Sequence, residues 1–296
     1  MTSREAYDST PQAILWLLPT LAIFGLFLYW PAARTVWLSL FESQFFGQGG
    51  VFVGLDQYVE VLTWDKYHNS IVVTLKFAAV TVVGTLAVSV LISFWIYTVE
   101  RGKTAYMIAT IWPYAMPGAV AGTVLLVLLH PSIGMITAPV ENLTGMEWDY
   151  TVNGTQAFWL VAIGTLWYTL GFDTIFLLAA FHGIPDTLNE TARLDGVPKW
   201  RMLIQVYLPM IAPTLLFLLV LNTLGGFFGG FAVVDLATNG GPLGATNLMI
   251  YQLYQSGFNN FDIGIAAVQS VILFVVAVVL AVGQIVLSDK RIHYGG

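Results

Sequence analysis

Residues 190–209 read ETARLDGVPKWRMLIQVYLP. Glu190, Arg193, Asp195, Lys199 and Arg201 crowd charge into this stretch, although only 9% of the 296 residues are charged. Apolar segments flank it on both sides, roughly Gln156–His182 and Leu208–Val234. Each flank is long enough to cross a bilayer, for which ~20 residues are needed. The stretch is therefore a polar loop between two membrane spans, and the rest of the chain is organised on the same plan.

Working outward, further apolar runs cover roughly Ala13–Trp30, Ser70–Tyr97, Ala105–Leu129 (broken by Pro113 and Pro117) and Ile263–Leu287. With 57% hydrophobic residues and a mean hydropathy of +0.76, a soluble domain is excluded. Continuous runs rather than short alternating segments exclude a transmembrane β-barrel. The fold class is thus an all-α polytopic membrane protein with six transmembrane helices and both termini on one side. The first run is too long for a signal-peptide core, and Arg4 is offset by Glu5 and Asp8, so it reads as an uncleaved span. The segments fall into residues 1–69 (N-terminal segment, first span and outer loop), a five-helix core at 70–288 carrying the loop 184–207, and a tail at 289–296.

The distribution of cations sets the orientation. Arg4, Arg101, Lys103, Arg193, Lys199, Arg201, Lys290 and Arg291 share one side, against Arg34 and Lys66 on the other. The first side, with both termini, is expected to be cytoplasmic. Lys76 lies near the outer end of the second span and can snorkel. Acidic residues gather in the outer loops, which suits either ordinary solvation or a high-salt habitat. A net charge of −6 argues against a nucleic-acid partner. The chain has no cysteine, and its four histidines lack ligand spacing, so no metal site is expected. Arg101-Gly102-Lys103-Thr104 ends like a phosphate-binding loop, but Tyr97 stands where the first glycine is required. No ATP site is visible. Asn142-Leu143-Thr144 and Asn153-Gly154-Thr155 match the glycosylation triplet, a pattern that also arises by chance.

Within the opening stretch, Pro185 and Asp186 mark a helix start, Gly196 a turn, and Pro198 the first position of a second helix through Trp200, Leu203 and Val206. Pro209 marks the start of the fifth span. Leu188, Thr191, Ala192 and Asp195 share a face at helical spacing. That small, mildly apolar face fits a partner's cleft, or else the loop is simply solvated.

Glu190, Ala192, Asp195, Gly196, Leu208 and Pro209 stand where the EAA loop of ABC-importer permeases has E-A-A-x-x-D-G followed by L-P, so the stretch resembles that loop. Thr191 and Val197 depart from it where alanine is usual. Phe52–Tyr58, Trp112–Pro117 and Thr238–Pro242 are similar to further motifs of sugar-type permeases. Phe231–Asp235 and Ala267–Val271 are most similar to the sn-glycerol-3-phosphate permeases of that family. The resemblance implies the type I ABC-importer permease fold and a transport subunit that is not itself an enzyme. The implied partners are a second permease subunit in a heterodimer, two cytoplasmic ABC ATPases that bind ATP and Mg, and an extracytoplasmic binding protein. The delivered substrate would be sn-glycerol-3-phosphate or a sugar. Glu190, Thr191, Ala192, Arg193, Asp195, Gly196, Leu208 and Pro209 would form the ATPase-coupling loop. No cofactor of its own is implied.

Asp173 sits near the middle of the fourth span, where an unpaired carboxylate costs about 2.5–3.5 kcal/mol. It is expected to line the substrate pathway, meet the partner permease, or pair within the bundle. Asn222, Gln269 and Trp167 are further pathway candidates, against a plain role in helix packing. A stand-alone carrier would need its own ion-coupling site and an intramembrane enzyme a clustered acid–base group; the sequence offers neither.

Overall fold

The structure, a computed structural model, describes residues 10–43, 50–185, 187–188, 190–191 and 196–289. Arg4, Ala192, Arg193, Asp195, Lys290 and Arg291 lie outside the described residues. The chain groups into two compact units, one of residues 1–62 and 253–272, the other of 63–252 and 273–296.

The first span is longer than its apolar core suggests. Helix Thr10–Phe24 continues through a π turn at Gly25–Tyr29 into Trp30–Leu38. In the π turn the Trp30 N–H reaches Gly25 O, and Pro31, with no N–H to place, follows without a lost bond. In place of a structureless outer loop, strands β1 (Phe41–Ser43) and β2 (Gly50–Phe52) pair antiparallel, Phe41 opposite Phe52, and helix Asp56–Thr63 follows. The short hairpin is an addition to the all-helical plan.

Span two, Asp65–Thr98, and span four, Gly154–His182, run side by side in the larger unit. Asn247 Nδ2 donates to Ser70 Oγ at 2.9 Å near the start of span two, and a methyl group added at Gly154 would meet Ala245. Lys103 reaches His182 at the opposite end. The two spans are therefore parallel. The chain between them must cross the unit, and it does so through a broken helix. Lys103–Ala115 and Gly118–Leu129 meet at 102° at the Pro113 and Pro117 break. Proline removes backbone donors and disfavours the helical conformation of the residue before it, which ends the first segment. Tyr114 packs on Phe172 at 5.5 Å, and Trp148 Nε1 donates to Leu129 O at 2.9 Å beyond the second segment. The bent pair thus completes six crossings alongside five helices of spanning length among the described residues.

Beyond Leu129, Thr151 donates its hydroxyl and its backbone N–H to Asp149, holding that carboxyl below the usual carboxylate range. Asn153 caps span four by accepting from the Thr155 and Gln156 amides, so one of the two glycosylation triplets supplies a helix cap.

Span five begins at Ala212, after a break at Ile211, and runs to Phe228. The left-handed Gly230 then turns the chain into a second helical piece ending at Thr238. The Leu208–Val234 segment of the sequence is thus divided, its first residues belonging to the preceding helix. Span six is Ile263–Asp289.

The core of the larger unit has a polar seam. Ser70, Thr74, Thr81, Thr85, Ser89 and Ser93 are buried along one face of span two. Several of these hydroxyls bond carbonyls of their own helix, as Thr81 does to Phe77 O at 2.8 Å. Across the seam, Thr174 and Thr223 do the same toward Leu170 O and Leu219 O. Gly226 lets span five approach span two, because a methyl group there would lie 2.8 Å from Ala78 Cβ. Overpacking of this kind costs about 1–3 kcal/mol. Gly226→Val is therefore expected to lower the melting temperature of the detergent-solubilised protein. Ala78→Gly in the same chain should restore part of the loss, and full stability of Gly226→Val alone would contradict the packing.

Candidate functional site: an exposed loop and a buried carboxylate

Span four ends against Ile184, which is buried, and the chain then leaves the bundle. Residues 187–188 and 190–191 are helical, and Leu188, Glu190 and Thr191 are exposed. Thr191 Oγ1 donates to Thr187 O at 2.8 Å, one turn back. A threonine in place of the usual alanine thus satisfies its hydroxyl locally. Gly196 has φ +67° and nothing within 4 Å of an added Cβ. Its backbone conformation, rather than its surroundings, favours glycine.

Pro198, in extended conformation, precedes the helix Lys199–Met202 instead of occupying its first turn. The helix continues through a π turn at Leu203–Tyr207 to Leu208–Met210, with Leu208 half-buried and Pro209 exposed. In the π turn the Leu208 N–H reaches Leu203 O, and Pro209, with no N–H to place, follows without a lost bond. Pro209 therefore lies inside the helix before the span, a correction to its expected place at the start of span five.

A cleft of about 410 Å³ separates this loop from the bundle end, with Phe94, Tyr97, Glu100, Glu190, Lys199 and Tyr207 among its walls. Its floor is aromatic: Tyr97 stacks on Phe181 at 5.7 Å, and Phe94 meets Tyr207 at 5.6 Å. Beside it, His182 Nδ1 lies 2.6 Å from Leu178 O and Nε2 lies 3.0 Å from Lys103 Nζ. A carbonyl cannot donate, so Nδ1 carries the proton and Nε2 accepts from the lysine. The root of the loop is thereby tied to the start of span three.

The second group lies within the bundle. Asp173 is 1% exposed. Its Oδ2 accepts from Asn222 Nδ2 at 2.7 Å and, at the longer distance of 3.5 Å, from Ser89 Oγ. The carboxylate is therefore paired inside the chain, across spans two, four and five. Asn222 also borders a small cavity of about 60 Å³ whose lining includes Thr85, Thr165, Tyr168, Thr169 and Gly225. Thr165 Oγ1 is buried without a hydrogen-bond partner among the described residues. The arrangement offers hydroxyl and amide groups to a small polar molecule.

The sequence candidates do not all converge here. Trp167 is half-buried with Trp112 edge-on at 6.3 Å, so it braces the broken third span. Gln269 belongs to the smaller unit, 1% exposed, with both amide atoms unpaired among the described residues. Thr85, Thr165 and Thr169 were not singled out from the sequence. Hydroxyls at four-residue spacing, at Thr81, Thr85, Ser89 and Ser93 in span two and at Thr165 and Thr169 in span four, were the available signal.

This combination, six crossings with a helix–glycine–helix loop standing off one end, defines a polytopic membrane protein with one exposed polar connection. Residues 86–294 match the family of binding-protein-dependent transport system inner membrane components, and the chain belongs to that family. It is a permease subunit of such a system, located in the inner membrane. Among its relatives are the sn-glycerol-3-phosphate transport system permease proteins UgpA of Rhizobium meliloti, 34% identical over 292 residues, and of Escherichia coli O157:H7, 35% identical over 293 residues. Each alignment covers 99% of this chain and 99% of the relative. The fold is shared with a chain of a bacterial alginate ABC transporter solved in complex with an alginate pentasaccharide-bound periplasmic protein, at a TM-score of 0.82 and 23% identity, covering 96% of each chain.

The bond between Asp173 and Asn222 is measurable. A charge-assisted hydrogen bond in a buried site contributes about 1.5–3 kcal/mol. A double-mutant cycle with Asp173→Leu and Asn222→Leu, read from unfolding in mixed detergent, is expected to give a coupling energy of about 2 kcal/mol. Strict additivity of the two substitutions would exclude the pairing.

Proposed function

We propose that this chain forms half of the translocation pathway of an ATP-driven importer, with a second permease subunit forming the other half. Two cytoplasmic ABC ATPases, which bind ATP and Mg, dock on the loop after span four. An extracytoplasmic binding protein delivers the substrate to the opposite face, sn-glycerol-3-phosphate or, alternatively, a sugar or oligosaccharide. The N- and C-termini lie on the ATPase side. The relatives' names and the family's dependence on a binding protein support the substrate and the partners.

The observation that carries the coupling assignment is the loop's placement. Its helical residues are exposed and lifted from the bundle by the cleft, yet both arms return directly into spans four and five. Those two spans are tied to each other at mid-depth by Asp173 and Asn222. When the ATPases close, a docked loop moves with them, and the movement passes into two spans joined at one polar point. This is rigid-body transmission between two discrete states. Glu190, Thr191, Ala192, Arg193, Asp195 and Gly196 form the docking element, and Leu208 and Pro209 its return arm. The hydroxyl-lined cavity beside Asn222 belongs to the substrate pathway, with Asp173 behind it holding Asn222 in place.

In proteoliposomes with the complete importer, Gly196→Val is expected to reduce binding-protein-stimulated uptake at least tenfold, because a β-branched residue disfavours a positive φ. Glu190→Lys should weaken co-purification of the ATPases. Undiminished uptake together with undiminished ATPase association in both variants would refute the coupling role. Uptake of labelled sn-glycerol-3-phosphate measured against labelled glucose and maltose, with the cognate binding protein, decides the substrate.

A further inference from the structure

A pocket of about 390 Å³ opens in the smaller unit, at the end of the first span nearer the β1–β2 hairpin. Arg34, Trp37, Phe41, Glu42, Ser43 and Ile263 are among its lining residues. Its walls are fixed by internal bonds. Ser39 Oγ and Tyr58 OH lie 2.7 Å apart, the Val53 and Gly54 amides donate to Leu40 O, and Gly264 N donates to Ser43 Oγ at 2.7 Å. Gly264 is hemmed in, since a methyl group there would fall 2.6 Å from Phe41 O. Trp37 and Phe41 have ring centroids 5.1 Å apart and give the pocket an aromatic side.

Arg34 and Glu42 line the same pocket, yet neither side chain is hydrogen-bonded or ion-paired among the described residues. One cationic and one anionic group that face a shared space without meeting leave room for a molecule carrying both charges.

The depth of the pocket says where such a molecule comes from. No charge interrupts the sequence between Asp8 and Arg34, and Leu21 is the midpoint of that run. At ~1.5 Å per residue, Arg34 lies about 20 Å along the axis from Leu21. The hydrocarbon core ends about 15 Å from its centre, so the guanidinium stands at the level of lipid headgroups. Tryptophan is favoured at that level. The apolar window of this span has none of its residues buried within the chain.

We propose that this pocket binds the headgroup of a zwitterionic aminophospholipid from the adjacent leaflet. The Arg34 fork takes the phosphate through charge-assisted hydrogen bonds. Glu42 accepts from the primary ammonium, which also lies against the Trp37 ring. The same arrangement discriminates among headgroups. A trimethylated ammonium has no proton to give Glu42, and an uncharged glycerol headgroup leaves Glu42 facing a net negative lipid. The bound lipid fixes the hairpin end of the first span at the membrane surface.

The full-length protein is reconstituted in vesicles of phosphatidylethanolamine, phosphatidylcholine or phosphatidylglycerol, and lipids retained after detergent exchange are counted by native mass spectrometry. Retention of one phosphatidylethanolamine is expected, falling about tenfold for each of the other two headgroups, for Arg34→Ala and for Glu42→Gln. Equal retention of the three lipids, or undiminished retention in both variants, overturns the proposal. Soluble phosphoethanolamine is the competing source of the same chemistry, and its displacing the lipid at equimolar concentration would also overturn a lipid site. Should Arg34→Ala fail to fold, Arg34→Lys keeps the charge but not the fork; retention is then expected to fall while the melting temperature holds, and unchanged retention counts against the site.

Discussion

A carboxylate inside an apolar bundle has to be satisfied by the chain that carries it, and much of the larger unit follows from that requirement. Asp173 has no water in the hydrocarbon to hydrate it, and its 2.7 Å bond from Asn222 fixes where span five lies against span four. Ser89 brings span two to the same oxygen. Gly226 then permits close approach of span five to span two near that point. The loop after span four is the connection between the two helices that this contact joins. Polar pairing at mid-depth and a charged loop at the membrane face are thus parts of one construction.

The number of spans was legible because the physics behind it is local. Apolar runs of membrane length have few alternatives, and Pro113 and Pro117 marked the break in the third span correctly. The first span exceeded its expected limit because Trp30–Leu38 mixes polar and aromatic residues that hydropathy alone assigns to a loop, while the helix simply continues past the apolar run. The position of Pro209 was misplaced for a different reason. A π turn shifts hydrogen-bond registry in a way that no single residue announces.

The polar loop after span four was legible as a motif, and a glycine turn at Gly196 and exposed Glu190 and Thr191 are what the structure gives for it. The interior polar groups were less legible. Asp173 and Asn222 stood out singly, but a sequence does not state that two residues 49 positions apart are hydrogen-bonded. Trp167 and Gln269 carried the same kind of signal and lie elsewhere. Which polar residue in a span faces which neighbour depends on helix rotation, and periodicity is a weak guide where nearly every position is apolar.

The hydroxyls of the seam bond mainly to the carbonyls of their own helices, as Thr81, Thr174 and Thr223 do. Such bonds travel with the helix that owns them. A helix that slides or rolls against its neighbour keeps every one of them. The seam therefore behaves as a greased bearing whose polarity is internal to each shaft. Cross-helix bonds among the described residues, such as Asn222 to Asp173 and Gln284 to Thr223 at 2.7 Å, resist relative motion instead. Relative motion of these spans has to stretch or break such bonds, so substitutions at Asp173, Asn222, Thr223 and Gln284 change what that motion costs.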